Sequence, residues 1–199
     1  MLQQVGCSLT LIDDTLYVFG GRLVPTRTMV STLYSLSLRT LTWTLLWPPP
    51  PSSSPSVVGP APRYFHSAEA WGSKIIIAFG EGYAPNEGES DDPAPLCTLD
   101  DVCIWDTENG GWEFPELRCA EGVEPPAPRY AHLAVVQQWE DVRGLEEDRV
   151  EREKSVMVIV GGQDVRNTCE LSVGSLETHA DERWATQICT RSTCSISRR

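Results

Sequence analysis

Leu16-Tyr17-Val18-Phe19-Gly20-Gly21 is an apolar run stopped by two glycines, and the chain repeats the pattern twice. It returns as Ile75-Ile76-Ile77-Ala78-Phe79-Gly80-Glu81-Gly82 and as Val156-Met157-Val158-Ile159-Val160-Gly161-Gly162. A short run rich in β-branched residues and ended by glycine reads as a strand that is apolar on both faces. Upstream, Pro60-Ala61-Pro62-Arg63-Tyr64 recurs as Pro126-Ala127-Pro128-Arg129-Tyr130, each followed two residues later by a histidine. These histidines, His66 and His132, are 66 residues apart, and the first unit carries Cys7 at the same place. Downstream lie Ser31-Thr32-Leu33-Tyr34-Ser35-Leu36-Ser37 with Trp43, and Asp100-Asp101-Val102-Cys103-Ile104-Trp105-Asp106 with Trp112. In both, the tryptophan comes 12 residues after the first residue of the stretch.

One unit therefore reads as four short strands in an antiparallel meander. In the first unit they span about residues 7–12, 16–19, 32–38 and 42–47, with Asp13-Asp14 and Arg39-Thr40 at the turns. A four-stranded sheet with two apolar faces cannot bury both alone, so successive copies must pack face to face. Where a glycine pair ends the apolar strand, the missing side chains let the backbone turn sharply or approach a neighbour closely.

These residues resemble the kelch repeat, whose pattern joins a glycine pair after an apolar strand to an aromatic residue and a tryptophan at fixed offsets. Asp100 to Trp112 fits its second half, while Gly80-Glu81-Gly82 breaks the glycine pair of the second unit. In the third unit Trp184 lies 17 residues after Asn167 rather than 12. The resemblance covers about residues 6–184 and implies an all-β fold, a partial kelch β-propeller of about three four-stranded antiparallel blades, the last incomplete. The expected boundaries are 1–47 for blade 1, 48–59 for a proline- and serine-rich linker, 60–117 for blade 2, 126–184 for blade 3 and 185–199 for an irregular tail. The repeat residues expected to hold this structure together are Gly20, Gly21, Trp43, Arg63, Tyr64, His66, Gly80, Gly82, Trp105, Trp112, Arg129, Tyr130, His132, Gly161 and Gly162. Propellers close with four to eight blades, so three imply a fragment, a truncated gene model or a ring completed by another chain. Open blade edges imply self-association.

Composition agrees. The 199 residues are 41% hydrophobic and 22% charged, as in a globular protein, and 15 glycines with 15 prolines exclude a helical bundle or coiled coil. Sixteen basic against 28 acidic residues leave a net charge of −12, which argues against nucleic acid as a partner. No apolar stretch approaches a membrane span and residues 1–14 do not read as a secretory signal, so the expected location is cytoplasmic with no membrane partner. The seven cysteines form no C-x-x-C pair and read as buried or free thiols.

Two insertions individualise the repeats. The second unit carries an acidic loop over 83–99 with Glu87, Glu89, Asp91 and Asp92, which either spaces two strands or receives a basic partner. A charged insertion over 138–154 contains Glu146, Glu147 and Asp148. The pair Asp148 and Arg152 is spaced for a short exposed helix, with disorder as the alternative. The Pro48 to Pro51 run with Ser52 to Ser54 reads as an extended linker, or as a polyproline segment for an aromatic groove.

No catalytic, cofactor or metal set emerges: G-x-S-x-G, H-E-x-x-H, the P-loop and the dinucleotide fingerprint are all missing from the sequence. A histidine repeated at one place per unit reads as a structural anchor. Some kelch-like propellers are copper radical oxidases that use two tyrosines, two histidines and a cysteine. The resemblance offers Tyr17, Tyr34, Tyr64, Tyr83 and Tyr130 for that alternative. The primary expectation is a non-enzymatic protein-interaction scaffold or adaptor with unidentified protein partners. The settings implied by the family are cell polarity, signalling and ubiquitin-ligase assembly.

Overall fold

A computed structural model describes residues 3–49, 58–84, 94–119, 126–141, 152–164, 171–178 and 184–189, and the regular elements among them are all strands. No helix among the described residues is long and apolar enough to cross a membrane. In chain order the first blade contains β1 (Gln4–Val5), β2 (Ser8–Ile12), β3 (Thr15–Phe19), β4 (Arg22–Leu23), β5 (Leu33–Ser37) and β6 (Thr42–Trp47). The second has β7 (Arg63–Tyr64), β8 (Ser67–Trp71), β9 (Lys74–Ala78), β10 (Glu81–Tyr83), β11 (Leu96–Thr98), β12 (Val102–Asp106) and β13 (Gly111–Glu113). Then come β14 (Glu116–Cys119), β15 (Tyr130–Asp141), β16 (Arg152–Gln163), β17 (Leu171–Thr178) and β18 (Trp184–Cys189).

The blades are the sheets β2-β3-β5-β6, β8-β9-β12-β13 and β15-β16-β17-β18, each an antiparallel meander. The four strands expected in the first unit appear within one residue of their expected ends. Inner strands β2, β8 and β15 lie side by side, which sets the three sheets face to face in an arc. Two minor sheets, β1-β4 and β7-β10-β11, extend the end of the arc where the glycine-ended strands stop.

Strand β9 shows why the sheets must stack. Ile75 and Ile77 enter the core shared with the first blade, beside Phe19, Leu33, Trp47, Cys103 and Trp105. Ile76 and Ala78, pointing the other way, enter the core shared with the third blade, beside Val102, Ile104, Met157 and Ile159. Period-two alternation in an all-apolar strand thus feeds two cores at once. The tight turn after β12 is fixed by Asp106, whose carboxylate accepts from the amides of Glu108 and Asn109, both at 2.9 Å, and from the Asn109 side chain at 2.8 Å. Those bonds, the Asn109 amide first, hold the Asp106 carboxyl below its usual titration range.

Several expected boundaries move. Strands β15 and β16 continue their ladder to Asp141 opposite Arg152, so both ends of the expected charged insertion 138–154 are strand. Arg152 therefore lies in β16 rather than in a helix with Asp148. Continuing the ladder satisfies backbone donors and acceptors, whereas one i, i+4 ion pair stabilises a helix by only tenths of a kcal/mol. The third blade also reaches further than expected, because β18 runs to Cys189 through residues assigned to the irregular tail. The long connection before Trp184 had displaced the tryptophan from its usual offset. Glu116 and Leu117, expected in the second blade, belong to β14, which pairs in parallel with β18 at the outer edge of the third.

The glycine pair of the second blade is replaced by Phe79-Gly80. Register sets Ser8 opposite Phe19, Ser67 opposite Ala78 and Leu133 opposite Val160, so Gly20, Phe79 and Gly161 are equivalent, as are Gly21, Gly80 and Gly162. Gly82 lies further on, in β10 opposite Arg63. The sequence pattern implies that a side chain at Gly161 or Gly162 either meets a neighbouring strand or forces a disallowed dihedral, and both glycines have positive φ. The close approach is at Gly162, where a Cβ would stand 2.9 Å from both the Tyr130 carbonyl oxygen and the His132 Cβ at φ +90°. Gly161 has open space and φ +70°, and its equivalent Phe79 adopts φ 58° with a full side chain.

Gly162→Ala is accordingly expected to lose about 2 to 3 kcal/mol, since it adds a backbone clash to a left-handed dihedral, and Gly161→Asn about 1 kcal/mol or less. Urea denaturation of the two variants checks the order; equal losses would contradict the repeat alignment.

Candidate interaction surface

Arg63 is fully buried, which the Pro-Arg-Tyr motif by itself does not explain. Its guanidinium forms a two-pronged pair with Asp101, Nη1 to Oδ1 at 2.9 Å and Nη2 to Oδ2 at 2.7 Å. It also donates to the carbonyls of Ala61 at 3.1 Å and Phe79 at 3.1 Å. Arg129 repeats the pattern one blade on, donating to the carbonyls of Ala127 at 3.0 Å and Gly161 at 3.2 Å. Each arginine thus ties the proline segment entering a blade to the end of its glycine-terminated strand. A planar cation with five donors suits this buried task better than lysine.

The histidines join one blade to the next. His66 Nε2 and Ser8 Oγ share a hydrogen bond of 2.8 Å, and His132 Nε2 and Ser67 Oγ share another of 2.8 Å. Backbone bonds repeat at the same seams: Gly21 N–H donates to Arg63 O at 2.8 Å, Gly80 to Arg129 O at 2.9 Å, Phe65 to Gly6 O at 2.8 Å and Ala131 to Phe65 O at 2.8 Å. Both imidazoles are buried and both Nδ1 atoms lack a partner, so a second ring proton would have no acceptor. Burial above all, then the nearby Arg63 charge and His132, pushes His66 down to about 3. Burial and Arg129 push His132 down to about 4. Both imidazoles are therefore neutral near pH 7.

The ends of the glycine-terminated strands and the Pro-Arg-Tyr segments share one end of the arc, while the tight hairpin turns share the other. At the first end aromatic rings form a strip. Tyr64 and Phe65 have ring centroids 4.7 Å apart, Phe65 and Tyr130 6.4 Å, and Arg22 lies over the Tyr64 ring at 6.0 Å. The Tyr130 hydroxyl donates to Gln163 Oε1 at 2.7 Å. Burial, with hydrogen bonding and charge from Glu81, pushes the Tyr64 phenol up to about 12, so it is a neutral donor at any physiological pH. Phe65 is the exposed member of the strip, at 41%, and its backbone is left-handed at φ 53°. Sequence reading missed it because it occupies the variable place in P-R-Y-x-H. The available signal was the contrast with Gly6 and Ala131, which hold that place in the other blades at φ 66° and 54°.

Beside the strip, β10 and β11 form the base of the acidic loop, with Tyr83 opposite Leu96. Glu87, Glu89, Asp91 and Asp92 lie outside the described residues, as do Glu146, Glu147 and Asp148. The polyproline segment also lies mostly outside them. Trp105 and Trp112 face each other at 5.0 Å, and Trp112 also meets Phe19 at 5.3 Å and Trp47 at 6.3 Å across the junction. Trp43 holds the same place in the first blade, on the face turned away from the second, and is 42% exposed. Of the tyrosines offered for a metal, Tyr64 and Tyr130 share the aromatic strip, and Tyr17 and Tyr34 are separated by their sheet. Tyr17 packs toward the second blade, whereas its cross-strand neighbourhood places Tyr34 on the opposite face of the same sheet.

A family model described as the KLHDC2/KLHL20/DRC7 Kelch-repeats domain matches residues 2–198. Protein ral2 of Schizosaccharomyces pombe is 31% identical over 108 residues, covering 54% of this chain and 16% of that protein. The Rho GTPase-activating protein gacHH of Dictyostelium discoideum is 30% identical over 117 residues, covering 59% of this chain and 7% of that protein. The chain therefore matches less than a fifth of the length of either relative. The solved structure of YjhT shares the fold, with a TM-score of 0.60 at 15% identity over 94% of this chain and 46% of that one.

The depressed histidines make a signed pH prediction. A histidine in the unfolded chain titrates near 6.5, so between that pH and about 4 the unfolded state binds more protons than the folded one. The stability they confer is complete above about pH 6.5 and is lost as pH falls through this window, by up to about 1.4 kcal/mol per pH unit for each imidazole. Urea denaturation from pH 7 to 4 is expected to show that slope, and the variant His66→Gln with His132→Gln to lose most of it. An unchanged slope would assign the acid sensitivity to other groups.

Proposed function

This chain belongs to the kelch-repeat family, and from that premise we propose that it acts by binding other proteins through the arc end that carries Arg22, Tyr64, Phe65 and Tyr130. The supporting observation is Phe65. Gly6 and Ala131 show that the equivalent seam needs no ring, and a large side chain in a left-handed backbone carries strain that glycine would avoid. An exposed aromatic held at such a place, with arginine and tyrosines beside it, has the make-up of a binding hot spot. Strands β10 and β11, which flank the acidic insertion in the sequence, lie beside it, so the proposed partner presents a basic surface, steered by the net charge of −12.

The proposal is an adaptor in the cytoplasm without catalytic activity. Among cell polarity, signalling and ubiquitin-ligase assembly, the relative named as a Rho GTPase-activating protein favours signalling around small GTPases. A copper radical oxidase is the competing reading, and copper uptake with alcohol oxidation by the purified chain would replace the proposal.

Phe65→Gly separates binding from folding, because glycine suits a φ of 53°. It is expected to change stability by less than about 1 kcal/mol and to weaken association with an affinity-isolated partner by at least about tenfold. Unchanged affinity would remove the aromatic strip from the interface, and a stability loss above about 2 kcal/mol would make the ring structural.

A further inference from the structure

We propose that the seam between the second and third blades holds an arginine side chain of the partner protein, its guanidinium over the Tyr130 ring and paired with the Glu81 carboxylate. The inference rests on the reading that this end of the arc is the binding surface, and it names the chemistry of what is bound there.

The first seam shows how such a contact is made. Gly21 N–H donates to Arg63 O, so the residues that follow, Arg22 on the first blade and Tyr64 on the second, meet across the seam. The Arg22 guanidinium lies 6.0 Å from the centre of the Tyr64 ring. A cation so placed is attracted by the negative face of the ring. The second seam repeats the backbone: Gly80 N–H donates to Arg129 O, which brings the following residues, Glu81 and Tyr130, to the equivalent places. Here the ring is kept and the cation is replaced by an anion. A carboxylate gains nothing from the negative face of a ring, so Glu81 cannot serve Tyr130 as Arg22 serves Tyr64. Glu81 instead accepts a hydrogen bond from the hydroxyl of Tyr64, its neighbour across β7 and β10. A carboxylate accepts about four hydrogen bonds, so this one leaves capacity for a two-pronged guanidinium pair.

The surroundings suit the same occupant. Tyr130 is positioned by its hydroxyl, which donates to Gln163 Oε1 at 2.7 Å. Phe65 stands beside it with ring centroids 6.4 Å apart, and its exposed ring offers apolar surface to the methylene stem of an arginine. Both halves of the site come from one internal junction of the arc, and the net charge of −12 draws a cationic partner toward it. Arginine fits better than lysine. A planar guanidinium can stack on a ring and pair in its own plane with a carboxylate, whereas an ammonium is a compact, strongly hydrated point charge.

The test is an NMR titration of the full chain with two probes, a five-residue peptide of one arginine flanked by glycines and its lysine counterpart. The arginine peptide is expected to bind at least about fivefold more tightly and to shift the ring signals of Tyr130 and Phe65. Glu81→Gln keeps an acceptor for the Tyr64 hydroxyl and should weaken that binding at least about fivefold, with the melting temperature unchanged. Glu81→Arg rebuilds the first seam's arrangement in the second and should abolish binding by occupying the Tyr130 ring. Thermal melts establish that each variant is folded, and Glu81→Gln decides alone if Glu81→Arg is not. Equal binding of the two peptides, no saturable shift with the arginine peptide, or arginine binding that survives Glu81→Gln would overturn the proposal. The adaptor reading falls separately, if Phe65→Gly leaves affinity for the isolated partner unchanged; it stands without the arginine contact if Phe65→Gly weakens that affinity and Glu81→Gln does not.

Discussion

A blade of this protein is a sheet with two apolar faces, and that single constraint governs everything else in the molecule. No blade can hide both faces by itself, so the second blade buries Ile75 and Ile77 against the first and Ile76 and Ala78 against the third. Hydrophobic burial brings the sheets together without saying how they should be aligned. Alignment comes from the seam, where two backbone hydrogen bonds and one histidine–serine bond recur at each internal junction. Because the buried imidazole would be left unpaired in any other register, the polar contact acts mainly by penalising misalignment.

The blades themselves were largely legible in the sequence. An apolar strand closed by glycine needs little tertiary context, so the strands of the first unit and the periodicity of the three could be read residue by residue. The seams were legible only in part. His66 and His132 stood out because they recur, but their partners Ser8 and Ser67 come from the preceding blade, a distance that local pattern does not convey. Asp101 stands near the start of a strand motif in the sequence, whereas its interaction with Arg63 joins segments 38 residues apart. Phe79 was read as the last apolar residue of its strand, yet its backbone takes a dihedral that glycine takes in the other blades. Where a side chain substitutes for glycine in this way, composition misleads and only register shows the equivalence.

The same logic separates function from framework at the aromatic strip. Tyr64 and Arg63 are buried and repeat in kind at Tyr130 and Arg129, so their role belongs to the blade. Phe65 does not repeat in kind, lies at the surface and occupies a strained backbone, a combination that framework residues avoid. The repeated side chains close the seams, whereas the proposed contact with other molecules falls to Phe65, which does not repeat. Such a division is characteristic of repeat architectures, where loops vary on a constant stack.

The parallel pairing of β14 with β18 alters how the third blade can assemble. Strand β14 leaves the ribosome before β15, yet it finishes at the opposite edge of the sheet, with β18 between it and β17. The last of these strands to be synthesised is therefore an interior one, inserted into a slot whose two walls come from residues made earlier. Until Cys189 has emerged, β17 has an unpaired edge and β14 has no sheet to join, so the nascent blade exposes two templates for strand addition. Closing the slot joins segments nearly 70 residues apart, an arrangement that slows folding compared with a local hairpin. Once filled, it couples the exit from the second blade to the outer edge of the third, so the third blade cannot peel away strand by strand from its outer edge without first breaking that strap.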